Sequence, residues 1–184
     1  VPLGVYGGID ERNLSAYLVA PIGTKEYVCL DAGTVHSGIE KAIEKGTFSV
    51  PSSTVLRQYI KGYCISHAHL DHVSGLIINS PADSTKTVYA IAPAMKMMQN
   101  HYFNDQTWAN FGDEGLGKPL KKYHFETLSF GKTIPISNTS MTVQAFPLSH
   151  VNPYESTAFL IKKGNNAVLY LGDTGPDSVE KTTN

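Results

Sequence analysis

Short apolar runs, each cut off by glycine, proline or a polar turn, alternate along this chain with stretches of helical spacing. Residues 1–6 predict the tail of a strand, broken by Gly7-Gly8. Residues 13–19 predict a second, which Pro21 and Gly23 turn into a third over 26–30. Within 38–45, Ile39, Ala42 and Ile43 have helical spacing, and a second helix is predicted from about 53 to 60 with Ser52 or Ser53 as its cap. Residues 71–79 predict a helix stopped by Ser80-Pro81, in which Gly75 lets the backbone pass close to its neighbours. A strand follows over 87–91. Pro93 then opens a helix that carries Met95, Met97 and Met98 toward His101. Residues 103–119 lack any period and predict a long loop that Trp108 and Phe111 pack down. Residues 141–146 predict a strand, and 156–162 with 167–171 predict a hairpin.

Several of these runs end in the same way. Asp31, His67, His150 and Asp173 each follow an apolar stretch directly or within a few residues. Polar groups collected at the ends of buried strands are held on a rigid frame, a common way to build a reactive site. Each residue alone would be an ordinary turn residue; the four together predict one site.

The densest chemistry lies in Ser66-His67-Ala68-His69-Leu70-Asp71-His72, directly after the apolar Tyr63-Cys64-Ile65. Neutral imidazole and carboxylate are ligands for divalent zinc, manganese or iron, and no thiolate stands nearby to suggest a sulfur-rich structural site. His67 and His69 are two apart, so on an extended segment both point to one side. Asp71 and His72 are adjacent and are expected to face two different positions. One ion would hardly use all four; two ions sharing a water would. A lone histidine is ordinarily a surface or core imidazole, so His36, His101 and His124 receive no ligand role.

Composition narrows the picture. The 184 residues are 41% hydrophobic and 17% charged, which describes a globular chain with a sizeable core. The formal net charge is −1 and no Lys/Arg block is present, which argues against a non-specific nucleic-acid binder. No run reaches membrane-spanning length, so no membrane partner is expected. Cys29 and Cys64 both lie in apolar runs and read as buried free thiols.

The motif His67-Ala68-His69-Leu70-Asp71-His72 resembles the signature of the metallo-β-lactamase fold. Its continuation, Val73-Ser74-Gly75-Leu76-Ile77-Ile78-Asn79-Ser80-Pro81, resembles that of the class II 3′,5′-cyclic-nucleotide phosphodiesterases, and this longer match is the more specific. The resemblance implies an α/β chain with an αββα sandwich of two similar halves. Residues 1–184 would form one such domain, the N-terminal part of a longer fold whose second half is cut short. His67, His69 and His150 would hold a first ion. Asp71 and His72 would hold a second, and Asp173 would bridge both. Leu148-Ser149-His150 and Tyr170-Leu171-Gly172-Asp173-Thr174-Gly175 fit the corresponding family positions. An acid at Asp31 would brace the ligand loop by hydrogen bonds. The family supplies one more histidine to the second ion from near the end of its fold. This chain reaches Asn184 without it, so the expectation is a fragment, or one completed by another segment or by a second copy, with a weakly held second ion.

The activity so implied is hydrolysis of cAMP or cGMP to the nucleoside 5′-monophosphate, with zinc as the leading ion and manganese or iron as alternatives. Two ions about 3.5–4 Å apart lower the pKa of a shared water toward ~7 and clamp the phosphoryl group. Asp71, the absent histidine or a water would protonate the leaving 3′ oxygen. Two other readings compete: a different hydrolase on the same fold, such as an RNA-processing nuclease or a lactonase, and a non-catalytic fragment that binds metal or nucleotide.

Overall fold

Two β-sheets organise the computed structural model, which describes residues 1–151 and 154–176. The larger has six strands in sequence order: β1 (Pro2–Gly4), β2 (Ala16–Val19), β3 (Tyr27–Leu30), β4 (Ile60–Cys64), β5 (Lys86–Ile91) and β6 (Tyr123–Leu128). The β1–β2–β3 pairs are antiparallel, and β3 through β6 run parallel. Parallel neighbours need crossovers. These carry α1 (His36–Glu44), α2 (Ser52–Thr54) with a π-helical turn at Val55–Tyr59, α3 (Leu70–Asn79), and α4 (Ala92–Met97) with a π-helical turn at Met98–Tyr102. The smaller sheet is antiparallel in the order β10-β9-β8-β7, from β7 (Thr133–Pro135), β8 (Thr142–Ser149), β9 (Glu155–Lys163) and β10 (Asn166–Tyr170).

Consecutive residues Val28, Cys29 and Leu30 of β3, and Val88 to Ile91 of β5, are all buried. Side chains alternate between the faces of a strand, so both faces of the large sheet are covered. Val73 and Leu76 of α3 belong to the helical layer. Val143, Ala145, Phe159 and Ile161 join the core from the small sheet, and the Tyr89 hydroxyl accepts a hydrogen bond from Ser137 N at 2.7 Å. Helices, large sheet and small sheet are layers of the expected αββα sandwich. On β10, Val168 and Leu169 are exposed. Among the described residues, no helix is long and apolar enough to cross a membrane.

Most predicted elements form, with informative exceptions. Strand β6 is absent from the predicted elements: Tyr123 and Phe125 are buried on either side of exposed His124, but exposed Thr127 and buried Leu128 break the alternation. Three-residue β7 has too little pattern to find. Neither Ser52 nor Ser53 caps the second helix: Pro51 occupies the cap position and no side chain bonds there. Helix α1 begins at His36, two residues before the predicted start. Strand β8 runs on through Pro147 to Ser149, pairing with β9 beyond the end of β7, where a missing N–H breaks no ladder on the open side.

Close contact between α3 and the loop after β3 fixes where the site forms. Ala32 N donates to His72 O at 2.8 Å, and Leu76 N donates to Ala32 O at 3.1 Å. A Cβ on Gly75 would sit 2.7 Å from Ala32 O, and one on Gly33 would sit 1.9 Å from Asp71 O. Only hydrogen fits at either position. Deeper in the core, Asp83 accepts hydrogen bonds from Tyr63 and Tyr123 at 2.7 and 2.9 Å, and pairs with the buried Lys86 ammonium, which also donates to Leu56 O.

Candidate metal centre

Parallel register brings the first elements of the site together. Leu30 of β3 pairs with Cys64 of β4, so Asp31 and the Ile65–Ser66–His67 segment leave adjacent strands side by side. His69 is the N-cap of α3, with Asp71 and His72 in its first turn. His150 follows β8, and Asp173 follows β10 after a turn at Gly172, where φ is 59°. Four chain segments thus converge at one rim.

The imidazoles sit close. His67 and His69 have ring centroids 4.5 Å apart, His67 and His150 4.9 Å, and His69 and His150 5.2 Å. The ligand atoms of His67, His69 and His150 lie within 4.8 Å of one another, and so do those of His67, His72 and Asp173. His72 Nε2 is 3.3 Å from Asp173 Oδ1 and 3.5 Å from Asp71 Oδ2. Asp71 and His72 were expected to face different positions, yet their tips converge: the two side chains leave the helix in different directions but lean back toward one point. Asp71 belongs to neither three-residue group and joins them only through His72.

Asp31 is the hub. It accepts from Ser66 N on Oδ1 at 2.7 Å, and on Oδ2 from Ser66 Oγ at 2.7 Å, His72 Nδ1 at 2.7 Å and the Tyr170 hydroxyl at 2.6 Å. Its backbone is left-handed, φ 52°, a conformation that aspartate tolerates better than most residues. The Asp31 bond keeps a hydrogen on His72 Nδ1 and leaves Nε2 as the nitrogen that faces the gap.

Nε2 of His72 is buried and makes no hydrogen bond, because its 3.3 Å approach to Asp173 is not aligned as one. Either a proton or a cation must stand between that nitrogen and the two carboxylates. Burial, then the charge of His72, drives the His67 pKa down to about 4, leaving a neutral imidazole at neutral pH. Burial also lowers His69, helped by His150. For His72 burial acts downward, but the Asp173 and Asp31 carboxylates outweigh it and raise the pKa to about 10. Asp173 is held below the usual carboxylate range, chiefly by His72. Without a cation the carboxylates keep His72 protonated; a divalent cation would take the place of that proton, beside a neutral His67 and an ionised Asp173.

Sequence reasoning gave no role to Ser66, Tyr170 or Tyr154. Ser66 and Tyr170 are tied to Asp31, and the Tyr154 ring stands 4.5 Å from that of His69. Tyr170 ends the strand before Asp173, but only the Asp31 contact distinguishes it from an ordinary strand tyrosine. His36 reaches Glu40 and Ser52, and His124 pairs with Asp113, so neither joins the cluster. Two recesses flank the site. One of about 130 Å³ is lined by His67, His69, Pro93, Met97 and Tyr154, and a wider one of about 590 Å³ reaches Asp71 among Leu14, Val35 and Ile78.

The family model for class II cAMP phosphodiesterases matches residues 1–184. The chain is 44% identical to a 3′,5′-cyclic-nucleotide phosphodiesterase of Aliivibrio fischeri and 43% identical to a probable one of Yersinia pestis, aligned over its whole length. It spans 58% and 56% of those two proteins. Among solved structures, unliganded yeast PDE1 superposes with a TM-score of 0.82 at 19% identity, over 95% of this chain and 64% of that one. The metallo-β-lactamase fold protein YhfI from Bacillus subtilis superposes at 0.61 and 17% identity, over 98% of this chain and 65% of its own. The fold is the metallo-β-lactamase fold, and the chain belongs to the class II cAMP phosphodiesterase family.

Proposed function

We propose that this protein is a metal-dependent hydrolase of 3′,5′-cyclic nucleotides, cAMP or cGMP, that yields nucleoside 5′-monophosphates. The observation that carries the reading is the lone Nε2 of His72, buried between Asp71 and Asp173 and one ring away from His67. We assign His67, His69 and His150 to one cation and His72 with Asp71 to a second, with Asp173 between them. Zinc is the leading candidate, with manganese or iron as alternatives. Such cations supply positive charge for the phosphoryl oxygens and acidify a coordinated water.

The chain's own residues prepare that chemistry. Asp31 holds the His72 tautomer, and burial keeps His67 unprotonated near neutrality. In the net reaction a P–O bond forms from water and the P–O3′ bond breaks, so the 3′ oxygen must gain a proton. Asp71, one-fifth exposed beside His72, is the group we assign to take the proton that the attacking water releases and pass it to that oxygen. The recess beside His69 receives the nucleoside. It touches both His67 and His69, and Tyr154 and Met97 offer it a flat ring and a polarisable thioether. The wider recess touches Asp71 alone of the cluster.

The test is a substrate panel of cAMP, cGMP, a linear RNA diester and a lactone, assayed before and after chelation and after adding back zinc or manganese. Release of 5′-AMP or 5′-GMP that stops on chelation and returns with metal is expected. Turnover that survives exhaustive chelation, or that favours the RNA or the lactone, overturns the reading.

A further inference from the structure

We propose that Tyr170 is a positioning residue that sets both ends of His72, one through Asp31 and the other through Asp173; this rests on the metal reading above. Tyr170 ends β10, an edge strand of the small sheet, yet its hydroxyl reaches across to the large one. It donates to Asp31 Oδ2 at 2.6 Å, the same oxygen that receives His72 Nδ1 and Ser66 Oγ. Ser15 Oγ stands 2.9 Å from the phenol oxygen and donates to it, since the phenol proton is committed to Asp31. Burial and the Asp31 charge raise the phenol pKa far above its ordinary value, so it stays a donor. The ring itself rests on Tyr17 of β2, with centroids 5.6 Å apart.

The turn after Tyr170 is equally constrained. Gly172 lies at φ 59°, and a Cβ there would meet Ser66 Cβ at 2.8 Å and the Ser66 and Ser156 hydroxyls at 3.1 Å. The turn is therefore pressed onto the residue that Asp31 already grips. Asp173 emerges from it 3.3 Å from His72 Nε2. One bolt between the sheets thus controls the Nδ1 side of His72 by hydrogen bonding and the Nε2 side by where the acid is delivered. Neither the hydroxyl bonds nor the ring contact of Tyr170 involve His67, His69 or His150, so the two cation positions should respond differently to its loss.

Tyr170→Phe removes the hydroxyl and keeps the ring packed on Tyr17. Zinc is titrated into the metal-free protein while long-range 1H–15N spectra follow the imidazoles of its seven histidines. The His72 response in Tyr170→Phe is expected to need about 10–100-fold more zinc, the usual effect of losing an outer partner of a ligand. The His69 and His150 responses should shift less, by about threefold or under, because Tyr170 reaches their cation only through the shared Asp173. In the metal-free spectra, the Nδ1–H resonance of His72 should shift, because Asp31 Oδ2 loses a competing donor. Ser15→Ala, which leaves the phenol and Asp31 in place, should weaken only the His72 response, and by less. Equal weakening of all the histidines, or an unchanged His72 Nδ1–H resonance and zinc response, overturns the inference. A wild-type protein that takes up no zinc overturns the metal reading and this inference with it, whereas two sites in wild type that are unaltered in Tyr170→Phe sink this inference alone.

Discussion

His72 Nδ1 lies 2.7 Å from Oδ2 of Asp31, a residue 41 positions earlier in the chain, and both side chains are wholly buried. This bond joins the end of β3 to the first turn of α3 and decides which imidazole nitrogen faces the gap beside Asp173.

Asp31→Ala would strand Ser66 N, Ser66 Oγ, His72 Nδ1 and the Tyr170 hydroxyl together. Each buried group left unpaired costs about 1–3 kcal/mol. Placing alanine in the left-handed region adds about 1 kcal/mol. We expect a loss of at least about 3 kcal/mol in urea unfolding and a fall in zinc affinity of about tenfold or more. Asp31→Asn keeps the backbone conformation but turns an amide toward existing donors, and should lie between wild type and Asp31→Ala. A loss under about 1 kcal/mol in Asp31→Ala would show that the hub matters little.

Gly33→Ala should fail more severely than Gly75→Ala. The added carbon would lie 1.9 Å from the backbone oxygen of Asp71 in the first case and 2.7 Å from that of Ala32 in the second. Backbone cannot rotate aside as a side chain can, so α3 must shift and carry Asp71 and His72 with it. Soluble yield, melting temperature and zinc uptake should all drop for Gly33→Ala. A variant of wild-type stability would disprove the close approach.

Alkaline pH should unfold this protein through its buried tyrosines. Burial, with the Asp83 charge, raises Tyr63 and Tyr123 well above the ordinary value of 10.0, and Tyr170 rises by burial and Asp31. An unfolded tyrosine releases its proton above about pH 10 while the folded one keeps it, so the unfolded state binds fewer protons and stability falls as pH rises. Each such group contributes a slope of up to about 1.4 kcal/mol per pH unit. Lys86 works the other way: burial lowers its pKa below 10.5, so its contribution improves as pH climbs to that value. The net decline should therefore be clearest above about pH 10.5, where Lys86 no longer opposes the tyrosines and the buried Cys29 and Cys64 thiols, also raised by burial, act with them. Urea unfolding at a series of pH values checks it, and a Tyr63→Phe/Tyr123→Phe double variant should show a flatter decline. An equally steep decline in the double variant would assign the effect elsewhere.

Tyr154→Ala tests the recess beside His69. If Tyr154 flanks the nucleoside, KM for cAMP should rise about tenfold, in line with about 1–3 kcal/mol for aromatic stacking on a base. The rate for a small diester without a base should hardly change. Equal losses on both substrates would mean that Tyr154 serves His69 and not the nucleoside.

Much of this arrangement can be read along the chain, for local reasons. The apolar period over Leu70–Asn79, stopped by Ser80-Pro81, suffices for α3, and the dense imidazoles before it announce cation chemistry. In β6 the alternation lasts only from Tyr123 to Glu126 before Thr127 and Leu128 reverse it, too short a pattern to read as a strand. The brace at Asp31 was expected from the family resemblance, but its four donors come from three segments, and no local pattern encodes such a meeting.

The sequence by itself determined the kind of chemistry and the positions at which it is offered, because ligand type and strand ends are properties of neighbouring residues. Tertiary structure alone decided the partnerships. Parallel pairing of β3 with β4 set Asp31 beside Ser66, and the small sheet brought Tyr170 and Asp173 to opposite sides of one imidazole. Such contacts depend on how layers stack, and an angstrom of difference there separates a held cation from an empty gap.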